Sequence, residues 1–170
     1  MNNERTILGI DPGTGRCGFA VLGLKIENCK LKISKSYKLL DCGCIETKAH
    51  TPLVERLELI YNKISALIKK HAVSEMAVEE LFFVKNIKTG MSVAHARGVI
   101  LLAGKMNDIE IFEYKPNEIK LAITGYGHAT KEQIIKMLPL HIKGCKLEQD
   151  DAADAVAVAL HHVQIQKSKF

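Results

Sequence analysis

The stretch Thr6-Ile7-Leu8-Gly9-Ile10-Asp11-Pro12-Gly13-Thr14-Gly15 decides the fold. A short apolar run ends on an aspartate and meets a turn of proline and two glycines. This reads as a buried strand that stops on a carboxylate. Cys17 to Leu24 then reads as an antiparallel return, and Lys30 to Thr47 as a third strand. The third run alternates imperfectly, which predicts a polar bulge or turn around Lys35. Three consecutive strands with short turns form a meander.

Helical patterns follow. Thr51-Pro52 opens the first, with threonine as cap and proline at the first helical position. Leu53, Leu57, Ile60, Ile64 and Leu67 give it one apolar face, and Lys69-Lys70-His71 suit its last turn. Met76 to Glu79 is a short buried strand, Asn86 to Met106 a second long helix, and Ile109 to Tyr114 a further strand. Two short helices come next. Pro116 opens the first and Gly125 closes it, and Thr130 with Gln133 forms a capping box for the second. A last helix runs from about Gln149 to Gln166. The order β-β-β-α-β-α-β-α-α-α predicts an α/β protein, a mixed sheet with helices on its faces.

The 170 residues show no repeat, low-complexity tract or linker, so one domain over 1–170 is expected. Hydrophobic residues make up 47% and charged residues 25%, as in an ordinary soluble globular protein. No apolar stretch is long enough to span a bilayer, and Met1 to Arg5 does not open a secretory signal. A cytoplasmic protein with no membrane partner is therefore expected. Cys17, Cys29, Cys42, Cys44 and Cys145 are odd in number and irregularly spaced, which fits free thiols in a reducing compartment. The net charge of +5 is compatible with a polyanionic partner.

Four acids stand out. Asp11 and Glu79 end apolar runs, while Asp151 and Asp154 lie three apart in an alanine-rich helix. An aspartate before Pro-Gly is commonly a turn residue, and aspartates early in a helix favour its dipole. Position raises the catalytic reading, because sheets flanked by helices collect ligands beyond strand ends. Asp151 and Asp154 share one side of their helix, and small neighbours allow it to approach the sheet. Carboxylates brought together repel unless a hard cation neutralises them, and paired Mg²⁺ or Mn²⁺ ions cut phosphodiesters. Glu79 and Glu80 point to opposite faces of a strand, so spacing leaves the choice between them open.

Phe82 and Phe83 precede a basic, polar turn containing Lys85, with Lys88 shortly after. One ring suits the core. An exposed one suits stacking on an unpaired base, worth about 1–3 kcal/mol. Lys120 and Lys131 flank the Gly125-Tyr126-Gly127 turn. His128, His161 and His162 suit either ligand or structural roles. The helix from Asn86 to Met106 is apolar nearly all round after a polar start, which calls for a second partner beyond the sheet and suggests a two-fold homodimer.

Gly9-Ile10-Asp11-Pro12-Gly13-Thr14, Ala77-Val78-Glu79 with Phe82, Ala94-His95-Ala96-Arg97-Gly98-Val99 and Asp151-Ala152-Ala153-Asp154-Ala155 resemble, in order, the RuvC family of Holliday junction resolvases. The resemblance runs from Ile7 to about His162. It implies a ribonuclease-H-like fold with a mixed five-stranded sheet flanked by helices. It implies metal-binding, catalytic acids at Asp11, Glu79, Asp151 and Asp154, two Mg²⁺ ions with Mn²⁺ as a substitute, and Phe82 stacking at the crossover. Lys120 and Lys131 approach the scissile DNA on this reading. The family's substrate is four-way junction DNA, nicked on opposite strands by a homodimer that works beside the RuvA–RuvB branch-migration complex in recombination and repair. Competing readings are a ribonuclease-H-like nuclease for RNA–DNA hybrids, a non-catalytic junction binder and a nucleotide-binding kinase-like protein.

Overall fold

The computed structural model describes residues 4–29, 32–81, 87–142 and 150–167, and the backbone alone at 4, 25–29, 32–36, 87–89, 150–151 and 167. Strands β1 (Glu4–Asp11), β2 (Arg16–Cys29) and β3 (Lys32–Glu46) lead into α1 (Leu53–His71). Then come β4 (Glu75–Glu79), α2 (Ile87–Met106), β5 (Glu110–Tyr114), α3 (Pro116–Thr124), α4 (Lys131–His141) and α5 (Asp150–Lys167). The sheet order is β3-β2-β1-β4-β5. The meander β1-β2-β3 is antiparallel, and β1-β4 and β4-β5 are parallel. The mixed five-stranded sheet expected from the resemblance is present. Among the described residues, no helix is long and apolar enough to cross a membrane.

Strand alternation sorts two cores. Ile7 and Ala77 face α5, where they join Val156, Leu160 and Val163 together with Ile119 of α3 and Leu138 of α4. Leu8, Ile10, Met76 and Val78 face the other way, against Ile60 and Ile64 of α1 and Ile100 of α2. Side chains two apart on a strand share a face. Gly9, Asp11 and Glu79 therefore lie on the α5 side. Gly9 is needed there because a Cβ would stand 2.4 Å from the Ala155 carbonyl oxygen and 2.7 Å from the Ala159 Cβ. The missing side chain lets α5 lie directly on β1.

Several local expectations shift. The irregularity in β3 lies at Leu40, opposite the step from Val21 to Leu22, and Lys35 pairs regularly with Ile26. The extra residue lets Leu39 and Cys42, three apart, both pack on the α5 core. Packing set the bulge, and local polarity did not. At the start of α1 the capping position is Pro52 with no side-chain cap, so Thr51 does not cap it. Its buried face is Ile60, Ile64 and Ile68, with Leu57 and Leu67 only partly covered. The α3 and α4 signals hold. Gly125 ends α3 at φ 77°, and Thr130 and Gln133 exchange both capping hydrogen bonds.

Candidate active site

The turn after β1 is tied down from three directions. The Thr47 amide donates to the Gly15 carbonyl at 2.9 Å, and the Thr47 hydroxyl donates to the Thr14 carbonyl at 2.6 Å. Arg56 of α1 donates to the Thr47 hydroxyl at 2.7 Å, and Thr14 donates to Ser92 of α2 at 3.1 Å. A Cβ on Gly13 would stand 1.8 Å from the Arg16 carbonyl oxygen, so the turn's own closure requires that glycine. The Asp11 position at the strand end is thus rigid.

Asp11, Glu79 and Asp154 come together at the α5 side of the β1 and β4 ends. The carboxyl of Glu79 is pushed up to about 8, first by burial, then by the Asp11 charge, a hydrogen bond with Asp11 and the charge of Asp154, against a lowering by Lys120. Two carboxylates that share a hydrogen bond must hold a proton between them. Glu79, not Glu80, joins Asp11 because it shares the face of Ala77. Lys131, the first residue of α4, places its Nζ 3.2 Å from Asp154 Oδ2. Both candidate lysines thus act on the acids, one from each side of the α3–α4 turn.

Asp151 sits one helical turn before Asp154 on α5, and Lys88 lies in α2, but the side chains of both fall outside the described residues. Phe82, Phe83 and Lys85 lie outside them altogether. Among the described side chains, no three His, Cys, Asp or Glu groups close tightly enough to hold an ion by themselves. The donors present are all carboxylate oxygens, and the proton retained by the Asp11–Glu79 pair marks the place where a positive charge is wanted. Such a donor set suits Mg²⁺ or Mn²⁺.

The histidines and cysteines divide. His162 Nδ1 meets the Tyr114 hydroxyl at 2.7 Å and its Nε2 meets Glu75 Oε2 at 2.6 Å, while Arg5 pairs with Glu75 from the other side. Burial pushes Glu75 up, but hydrogen bonds from His162 and Arg5 outweigh it and hold the carboxyl below its ordinary range. This network ties α5 to β4 and β5. Sequence reasoning missed Arg5 and Glu75, because separations of 70 and 87 residues leave no local trace. It also missed Asp41, which accepts from Lys70 at 2.7 Å and contacts His71 at 2.9 Å. Burial pushes the Cys17 thiol up to about 12, against a hydrogen bond from the Gly13 backbone and with the Asp11 charge adding, so it stays protonated and inert.

With this geometry in place, comparison with known proteins is specific. The family model of crossover junction endodeoxyribonuclease RuvC matches residues 7–162. The RuvC of Brachyspira hyodysenteriae is 48% identical over 155 residues, covering 91% of each chain. The structure of Thermus thermophilus RuvC in complex with a Holliday junction substrate matches with TM-score 0.84 and 26% identity, over 97% of this chain and 96% of that one. The yeast mitochondrial Holliday junction resolvase Ydc2, 14% identical, matches with TM-score 0.62 over 95% of this chain and 78% of its own, sharing the fold alone. The sheet is the ribonuclease-H-like one that the sequence resemblance implied. A match that runs in register from β1 through α5 makes the chain a member of the RuvC family of crossover junction endodeoxyribonucleases.

Proposed function

We propose that this endonuclease cuts four-way junction DNA at Asp11, Glu79 and Asp154, with Asp151 as the fourth acid, and that these carboxylates hold two Mg²⁺ ions. Mn²⁺ substitutes. The observation that carries the reading is Glu79, kept protonated to about pH 8 by burial and by its neighbours Asp11 and Asp154. Bound there, the metal pair supplies an acidified water and charge neutralisation at the leaving oxygen.

The chain's own groups do the rest. Glu79 must release its proton to become a ligand, so the ion and the proton compete for one site. Lys131, held beside Asp154 at 3.2 Å, and Lys120 bring positive charge to the rim where phosphate charge grows during cleavage. Partial burial on the α5 side lowers the local dielectric around Glu79 and strengthens these charges. Phe82, with Phe83 beside it, stacks at the crossover, and Lys85 and Lys88 contact DNA phosphates.

The working enzyme is a homodimer of single-domain chains that nicks opposite strands with two-fold symmetry. Support comes from α2, which buries Ala96, Ile100 and Ala103 against the sheet yet leaves Leu102 and Met106 exposed by 52% and 65%. It works with RuvA and RuvB in the cytoplasm, where the free thiols of Cys17, Cys42 and Cys44 are at home. The test is nicking of a synthetic four-way junction by wild type and Asp11→Asn in Mg²⁺. The variant should bind the junction and leave it uncut. Undiminished nicking by Asp11→Asn would refute the assignment.

A further inference from the structure

The α3–α4 turn carries an exposed aromatic residue that the cleavage chemistry does not use. Tyr126 is 58% exposed, although tyrosine rings usually find cover. The ring meets His128 edge-on, with centroids 5.7 Å apart. Its backbone is clamped. The Tyr126 amide donates to the Thr124 hydroxyl at 3.1 Å, and that hydroxyl lies 3.0 Å from the Tyr126 carbonyl and 2.8 Å from the Lys120 carbonyl. Gly127 lies in ordinary contact range of Asn117. The turn is therefore a rigid mount for the ring. Beside it a shallow cleft is lined by Thr124, Tyr126, Gln133, Lys136 and Met137. It combines one cation, hydrogen-bonding groups and apolar surface.

Both flanks of this turn reach the acidic cluster, through Lys120 at one end and Lys131 at the other. Four residues lie between Tyr126 and Lys131, so their Cα atoms stand at most about 18 Å apart. Successive nucleotides on one strand rise about 3.4 Å, so that span corresponds to about five nucleotides of a duplex arm. We infer that Tyr126 and Lys136 form a DNA-docking patch for the arm beside the scissile phosphate, the ring packing on sugar and base edge and the lysine pairing with a phosphate. The occupant is nucleic acid because the lining offers a cation and hydrogen-bonding side chains, and because the patch is built on the same α3–α4 turn whose flanks carry Lys120 and Lys131 to the acids. This rests on the reading of Lys120 and Lys131 as facing the cut DNA.

The test is binding of a fluorescent four-way junction in EDTA, titrated at several salt concentrations, with wild type, Tyr126→Ala, Tyr126→Phe and Lys136→Gln. Tyr126→Ala should weaken binding about tenfold, while Tyr126→Phe keeps the ring and stays within about threefold of wild type. Lys136→Gln should lower the slope of log affinity against log salt by about 1. Wild-type affinity in Tyr126→Ala, or an unchanged salt slope in Lys136→Gln, overturns the inference. Equal loss in Tyr126→Ala and Tyr126→Phe overturns the ring contact. If Tyr126→Ala does not fold, the phenylalanine and glutamine variants still decide. Binding in EDTA needs no metal and no cleavage, so this failure is separate from continued nicking by Asp11→Asn, which would strike the carboxylate assignment instead.

Discussion

Replacing Glu79 with glutamine tests the charge balance of the acidic cluster directly. In the metal-free protein the Glu79 carboxyl holds its proton up to about pH 8, against an ordinary 4.5. Between those values the native chain binds one more proton than the unfolded chain, so stability is full below about 4.5 and falls as pH rises through 8. At about 1.36 kcal/mol per pH unit the ceiling on that loss is about 5 kcal/mol. The true loss is smaller, because the proton belongs to the Asp11–Glu79 pair and the pair can relax. A glutamine keeps the shape and donates its amide to Asp11 at every pH. Urea unfolding in EDTA from pH 5.5 to 8.5 should therefore show wild type losing stability with pH and Glu79→Gln losing much less. The difference between the two profiles removes titrations they share. Adding Mg²⁺ should stabilise wild type more at pH 8.5 than at pH 6, since the ion displaces the proton; at 100 times its dissociation constant a ligand contributes about 2.7 kcal/mol. Parallel pH profiles for the two proteins, or an equal Mg²⁺ effect at both pH values, would refute the reasoning.

Three further outcomes follow from the packing and charge pattern. Gly9→Ala forces a methyl against the Ala155 carbonyl and the Ala159 side chain, so it should cost about 1–3 kcal/mol in denaturant unfolding. It should also depress nicking in conditions where the variant is fully folded, because α5 carries Asp154; normal stability with normal nicking would show that α5 does not sit this tightly. His162→Leu strands the Tyr114 hydroxyl and half of the Glu75 pairing in the core, at about 2–4 kcal/mol. The lowered carboxyl of Glu75 contributes stability above its ordinary 4.5 that is lost as pH falls through the folded value, so acid unfolding of His162→Leu should be shallower than that of wild type. Lys131→Ala breaks a contact between half-exposed groups, which alters stability by less than about 1 kcal/mol. Its nicking rate should nevertheless drop about a hundredfold, and a rate within twofold of wild type would remove Lys131 from the site.

Sequence legibility followed the range of the interactions. Gly125 and the Thr130–Gln133 box were readable because a helix end is settled by residues within one turn of it. Thr51 misled for the same reason in reverse. A threonine before a proline suits a cap, but the chain enters α1 through Pro52 without using its hydroxyl. Local polarity points to a β3 bulge at Lys35, whereas Leu40 takes it so that Leu39 and Cys42 reach one core. That requirement comes from α5, more than a hundred residues downstream.

The amino-acid order alone settled the succession of strands and helices and marked out the four acids, because hydrophobic period, turn chemistry and motif spacing are short-range properties written in contiguous residues. Strand alternation left Glu79 and Glu80 open, since either can end a strand, and the family motif pointed to Glu79. The tertiary structure supplied the physical reason, aligning β4 in parallel with β1 so that Glu79 emerges on the same face as Asp11 and beneath α5. The same long-range assembly created the proton-sharing pair, brought Lys131 to Asp154 and built the Arg5–Glu75–His162–Tyr114 tie. Burial and charge act through space, and distances in space exist only once the sheet and its helices have closed on each other.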